Sequence, residues 1–120
     1  MNNYELFTII YMTLQNYKKE NKVSDGFLAF LGDANPYIWQ DCISGDPAIY
    51  YEYDKFIKNR KISIENSYEI AKEYIYSLSD DYYNLEEIKK AIDSINIEKW
   101  TKECKDYLSN PHKGEKKSNK

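Results

Sequence analysis

Apolar positions recur at helical spacing along most of the chain. Between Tyr4 and Lys19, the positions Leu6, Ile9, Ile10, Thr13, Leu14 and Tyr17 fall on one stripe and predict a first helix. Ser24 predicts the cap of a short helix with Phe27, Leu28 and Leu31 inward and Gly32 as its stop. Asp46-Pro47 is a strong start, because the carboxylate caps free amides and proline at the first helical position gives up no needed donor. Ile49, Tyr53, Phe56, Ile57 and Arg60 continue that helix at helical spacing. Ser63 opens the next, carrying Ile64, Tyr68, Ala71, Ile75 and Leu78. Asn84 with Glu87 three residues on resembles a capping box, ahead of Leu85, Ile88, Ile92 and Ile95. Asn96 predicts the cap of a last helix with Ile97, Trp100, Cys104 and Tyr107 on one face, and Asn110-Pro111 ends it. No stretch alternates cleanly for six residues, and no Asn-Gly or Asp-Gly pair separates two strand-like runs. The pattern predicts an all-α, single-domain bundle of five to six short helices over residues 1–110, followed by a disordered basic tail over 111–120.

A chain of 120 residues suits one core. The mean hydropathy of -0.81 is low partly because 13 tyrosines score as polar while their rings pack as apolar bodies. No window approaches 18 apolar residues, so no membrane span is predicted. The opening MNNYELF lacks a basic segment followed by a long apolar run, which argues against a secretion signal. Cys42 and Cys104 are far apart and outside any CxxC pattern, so a cytoplasmic protein with reduced thiols is expected. The formal charge is -3, but the final eight residues carry four lysines and one glutamate, leaving -6 on residues 1–112.

That acidity is concentrated. From Val23 to Asp54 the chain holds six carboxylates (Asp25, Asp33, Asp41, Asp46, Glu52, Asp54) and no lysine or arginine across 32 positions. Asn35-Pro36 and Asp46-Pro47 punctuate this run as helix starts, the first predicted to open a turn ending near Cys42. Helix-boundary chemistry explains the prolines and part of the aspartates, and Phe27, Phe30 and Trp39 read as core. It leaves the exclusion of every basic residue unexplained, since like charges held together repel unless a cation or a basic partner offsets them.

Several chemistries fit poorly. The one histidine, His112, lies in the predicted tail, which removes a histidine triad from the body. Cys42, Cys104 and His112 are scattered for a zinc site, and neither GxxxxGK[ST] nor GxGxxG occurs. Asp33, Asp41 and Asp46 offer oxygen ligands at a spacing that matches no standard metal loop. Asp80-Asp81 and Glu86-Glu87 read as partners of a helix N-terminus. An acidic body repels phosphates, so nucleic acid is not an expected partner. No cofactor and no catalytic residue are expected.

Tyrosines interleaved with carboxylates suit a different target. Tyrosine rings supply rigid contact area, and the acids beside them attract a basic protein. Tyr50, Tyr51, Glu52, Tyr53 and Asp54 form such a mixture; Tyr50 and Asp54 share a helix face while Tyr53 turns inward. Tyr82-Tyr83 after Asp80-Asp81 is a second example. The expected partner-binding residues are therefore Asp33, Asp41, Asp46, Tyr50, Glu52 and Asp54. The segment FLGDANPYIWQDCISGDPAIYYEYDKF, in a small acidic helical chain with one histidine, resembles the immunity proteins of bacterial toxin systems, including contact-dependent inhibition. That resemblance implies a non-enzymatic inhibitor that covers or distorts a toxin, such as a basic nuclease. A regulatory or adaptor protein, including a homodimer, is the alternative reading, and a carboxylate-based metal-dependent protein is a third.

Overall fold

The computed structural model describes residues 1–37 and 44–110. Six helices run α1 (Asn3–Glu20), α2 (Asp25–Ala34), α3 (Pro47–Ile57), α4 (Ile64–Ser77), α5 (Leu85–Asp93) and α6 (Ile97–Ser109), and the described residues include no strand. The all-α architecture is as the periodicity predicts. Trp39, Asp41, Cys42, the turn expected to end there, and the tail from Pro111 lie outside the described residues.

Every helix opens on a short polar side chain that accepts a hydrogen bond from a first-turn amide. Asn2 takes Glu5 N at 2.8 Å, Ser24 takes Phe27 N at 3.3 Å, and Asp46 takes Ala48 N at 3.0 Å. Ser63 takes Asn66 N at 3.3 Å, Asn84 takes Glu87 N at 3.2 Å, and Asn96 takes Lys99 N at 2.7 Å. Each such cap is worth about 1 kcal/mol.

α1 is the axis of the bundle. It packs against each of the other five helices. Leu6 to Tyr11 are six consecutive buried residues, followed by Thr13 and Leu14. A helix buried on all sides needs an apolar surface all round, which is why the stripe read from the sequence is narrower than the one observed. Burial of one Leu, Ile or Phe contributes roughly 1.5–3 kcal/mol, well above the ~0.7 kcal/mol that aromatic and β-branched residues cost in a helix. Around α1, one continuous core takes Phe27, Phe30, Tyr53, Tyr74, Ile88, Ile92 and Trp100.

Four local expectations are corrected. Leu28 is 43% exposed and Ile97 52% exposed, because each falls at the edge of a short helix whose buried face is fixed by its neighbours. α2 does not stop at Gly32 but runs to Ala34, where the Asn35-Pro36 turn ends it, with Tyr37 N donating to Asn35 Oδ1 at 2.8 Å. α3 ends at Ile57, and Lys58 turns the chain at φ 55, so Arg60 lies beyond the helix. Arg60 pairs instead with Glu73 at 2.6 Å.

The fourth concerns Glu87. Its amide is capped by Asn84, but its side chain does not reach back to close a capping box. Glu87 Oε1 accepts from Ser24 Oγ at 2.5 Å and Ser24 N at 3.1 Å, while Asn84 Nδ2 donates to Ser24 Oγ at 3.2 Å. One carboxylate therefore serves two converging helix N-termini, those of α2 and α5, whose positive ends it offsets. The approach is close: a Cβ added to Gly26 would stand 2.6 Å from Asn84 N. Gly26→Ala gains helix propensity of at most ~1 kcal/mol, whereas overpacking against backbone costs about 1–3 kcal/mol. Urea denaturation is expected to show the variant less stable; equal or higher stability would mean that α2 and α5 are not held this tightly.

Candidate functional site

The acidic segment is organised around a backbone contact. Asp46 N donates to Asp33 O at 2.8 Å, which ties the start of α3 to the last turn of α2. Buried Ser44 braces the junction, donating to Asp46 O at 2.6 Å and accepting from Tyr50 N at 3.2 Å. Tyr83, brought in by the turn before α5, donates its phenol to Asp33 Oδ2 at 2.7 Å. Asp80 shapes that turn by accepting from Tyr82 N at 2.9 Å. Asp80 thus stabilises a turn, five residues ahead of the start of α5, while Glu86 and Glu87 occupy the first helical turn. The Tyr83 phenol is pushed well above the usual tyrosine range, first by burial, then by the hydrogen bond to Asp33, then by the charges of Asp33, Asp80 and Asp46. Three carboxylates from three chain segments therefore bear on one ring.

Beside this cluster runs a groove of about 560 Å³ between α3, α4 and the turn after α4. Ile49, Phe56, Tyr74 and Tyr83 give it apolar walls, with Glu52 and Asp80 among its acidic lining residues. Glu52 makes no hydrogen bond or ion pair among the described residues, and its charge raises the already buried Tyr74 phenol further. Lys55 is the one lysine lining the groove, and its ammonium stands 5.3 Å from the centre of the exposed Tyr51 ring.

Asp54 and Tyr50 occupy the other flank of α3. Glu52 and Asp54 are two residues apart, hence about 200° around a helix. Asp54 accepts from Asn3 Nδ2 at 2.8 Å, at the positive end of α1. Tyr50 packs edge-on against Phe7, with ring centres 5.1 Å apart, and its phenol is pushed up to about 12 by burial, then by Asp54 and Tyr4. Tyr50 and Asp54 do share a side, as the sequence implies, and Tyr53 is wholly buried, donating to Asn3 O at 2.8 Å.

The anticipated site is therefore divided. Asp33, Asp46 and Glu52 gather on the side of Tyr83 and the groove; Asp54 and Tyr50 face the start of α1; Asp41 lies outside the described residues. Sequence reasoning noticed the acid–tyrosine mixture at residues 80–83 but not its union with Asp33, about 50 residues away. No described member of the set forms a salt bridge with a lysine or arginine. Among the described residues no three histidine, cysteine or carboxylate groups converge as a metal ion requires, and no helix is long and apolar enough to cross a membrane. Cys104 is a free, buried thiol beside Ser67 and Trp100. No family model, no curated protein and no solved structure matches this chain.

The raised phenols define a pH response. Tyr50, Tyr53, Tyr74 and Tyr83 all hold their protons more tightly in the folded chain than tyrosine does near pH 10. Above pH 10 the unfolded chain has fewer bound protons than the folded one, so stability is complete below pH 10 and falls as pH rises through the folded values. Each protected phenol contributes a slope of about 1.4 kcal/mol per pH unit in that window. Tyr83→Phe is expected to reduce the slope by about one proton. Urea midpoints between pH 9 and pH 12 measure this, and an unchanged slope would remove Tyr83 from the protected set.

Proposed function

We propose that this chain is a non-catalytic protein-binding domain that captures a basic partner on the acidic groove between α3 and α4. What supports this most is that Glu52 and Asp80 line the apolar groove, with Asp33 bonded to its Tyr83 wall and Asp46 close enough to act on the same phenol, and none of the four has a salt bridge from the fold. A lysine or arginine side chain fits such a site: its stem lies on Phe56, Tyr74 and Ile49, and its charge meets the carboxylates. The acids also raise the encounter rate with a cationic surface and disfavour anionic ones. The most specific form of this reading is an immunity protein acting in the cytoplasm, which blocks a toxin such as a basic nuclease by covering its phosphate-binding cleft. The acidic body and the resemblance of residues 30–56 support that form.

The test uses the product of the gene adjacent to this one, purified in inactive form and immobilised. Association with the chain is expected to slow about tenfold or more as salt rises from about 50 mM to about 500 mM. A triple variant, Asp33→Asn with Glu52→Gln and Asp80→Asn, is expected to associate slowly at every salt concentration. An on-rate indifferent to both salt and the triple variant would overturn electrostatic capture. Absence of binding, with the chain sedimenting as a dimer, would overturn the toxin-neutralising form.

A further inference from the structure

The sign of the charge reverses within α3. The acidic run ends at Asp54, and the chain then places Lys55, Lys58, Arg60 and Lys61 before its next carboxylate, Glu65. Arg60 is taken by Glu73. Lys55 and Lys58 form no salt bridge among the described residues, and neither do Asp46 and Glu52. A helix C-terminus attracts cations and an N-terminus attracts anions, which explains why each sign stands where it does. The outcome is a helix that is anionic where it opens and cationic where it ends.

These charges lie on a surface that no other described element covers. Asp46, Ala48, Tyr51, Glu52, Lys55 and Lys58 are all exposed. Ala48, Tyr51 and Lys55 fall within about 60° of one another around the helix. Tyr51 is 63% exposed near the middle of α3, and the small Ala48 one turn earlier leaves room beside its ring.

Such a face complements itself in one orientation. Asp46 and Lys58 stand six residues either side of Glu52. A twofold axis at the middle of α3 therefore sets Asp46 of one copy opposite Lys58 of a second, and Lys58 opposite Asp46. The same axis brings Lys55 within reach of Glu52 of the second copy and closes the two Tyr51 rings on each other. Parallel pairing would oppose acid to acid and base to base. We propose that the outward face of α3 binds a second copy of this chain, antiparallel about that axis. The contact is isologous, so it closes at two copies. It does not rest on the capture of a basic partner, although Glu52 serves both: the dimer covers one acid of the groove, and a partner gains it by displacing the second copy. One face of an 11-residue helix is small against the ~1,200 Å² of a stable interface, so the dimer is weak and salt-sensitive.

Sedimentation of the full chain over a concentration series tests this. At about 50 mM salt a reversible monomer–dimer equilibrium is expected, with a Kd on the order of 10–100 μM, and at about 500 mM salt the monomer alone. Glu52→Lys and Lys55→Glu, each on the surface, are expected to weaken association at least tenfold. The double variant carrying both restores opposite charges across the axis at the parent's net charge, and it is expected to recover the dimer. Asp33→Asn with Asp80→Asn, in other elements, is expected to leave the dimer intact while slowing capture of a basic partner, so loss of one activity is told apart from loss of the other. The proposal is overturned if the chain stays monomeric at about 1 mM in low salt, if a dimer forms that is indifferent to salt and to Glu52→Lys, or if the charge-exchanged double variant associates no better than the single ones.

Discussion

The burial of α1 on every side is the constraint on which the rest of this structure depends. A central helix cannot carry charge through its middle, and α1 has none between Glu5 and Lys18. All of its ionic and capping chemistry is pushed to its two ends. The first end receives Asp54 through Asn3 and the Tyr53 phenol through a backbone carbonyl. The last end, from Thr13 to Asn21, forms one wall of a cleft with the end of α5 and the start of α6. The two threonines in the buried stretch, Thr8 and Thr13, are the places where this apolar requirement is broken, and both hydroxyls are left without partners. The outer helices are free to be strongly amphipathic because α1 supplies the surface that all of them cover.

What could be read from the chain alone follows from the range of each interaction. Caps act over two or three residues, so Ser24, Asp46, Ser63, Asn84 and Asn96 were legible as helix starts. Periodicity acts over a few turns, and it located the faces of Trp100, Cys104 and Tyr107. The failures occur where a distant partner outcompetes a near one. Glu87 had a local partner three residues back and took Ser24 instead, 63 residues away, because two helix N-termini meet there. Leu28 and Ile97 kept helical register with the core but sit past its edge. The acidic site was half legible for a geometric reason. A run of acids in sequence is not a patch in space once a helix rotates its residues, and α3 sends Glu52 and Asp54 to different flanks. The missing members, Asp80 and Tyr83, arrived from the turn before α5, and no local rule links that turn to Asp33.

The acids without cations do not leave the fold unsatisfied, and this bears on what they can do. Asp33 accepts from a phenol, Asp46 from the Ala48 amide in the first turn of α3, and Asp54 from the Asn3 side-chain amide at the start of α1. Neutral donors stabilise a carboxylate at hydrogen-bond range, but they cancel none of its net charge. The long-range field of the segment therefore survives folding, whereas a salt bridge would have quenched it. A carboxylate already fixed by a phenol or an amide also has less side-chain entropy to lose when a cation arrives. Local satisfaction by uncharged groups and a persistent external field are thus compatible, and their combination is what the proposed capture of a basic partner would draw on.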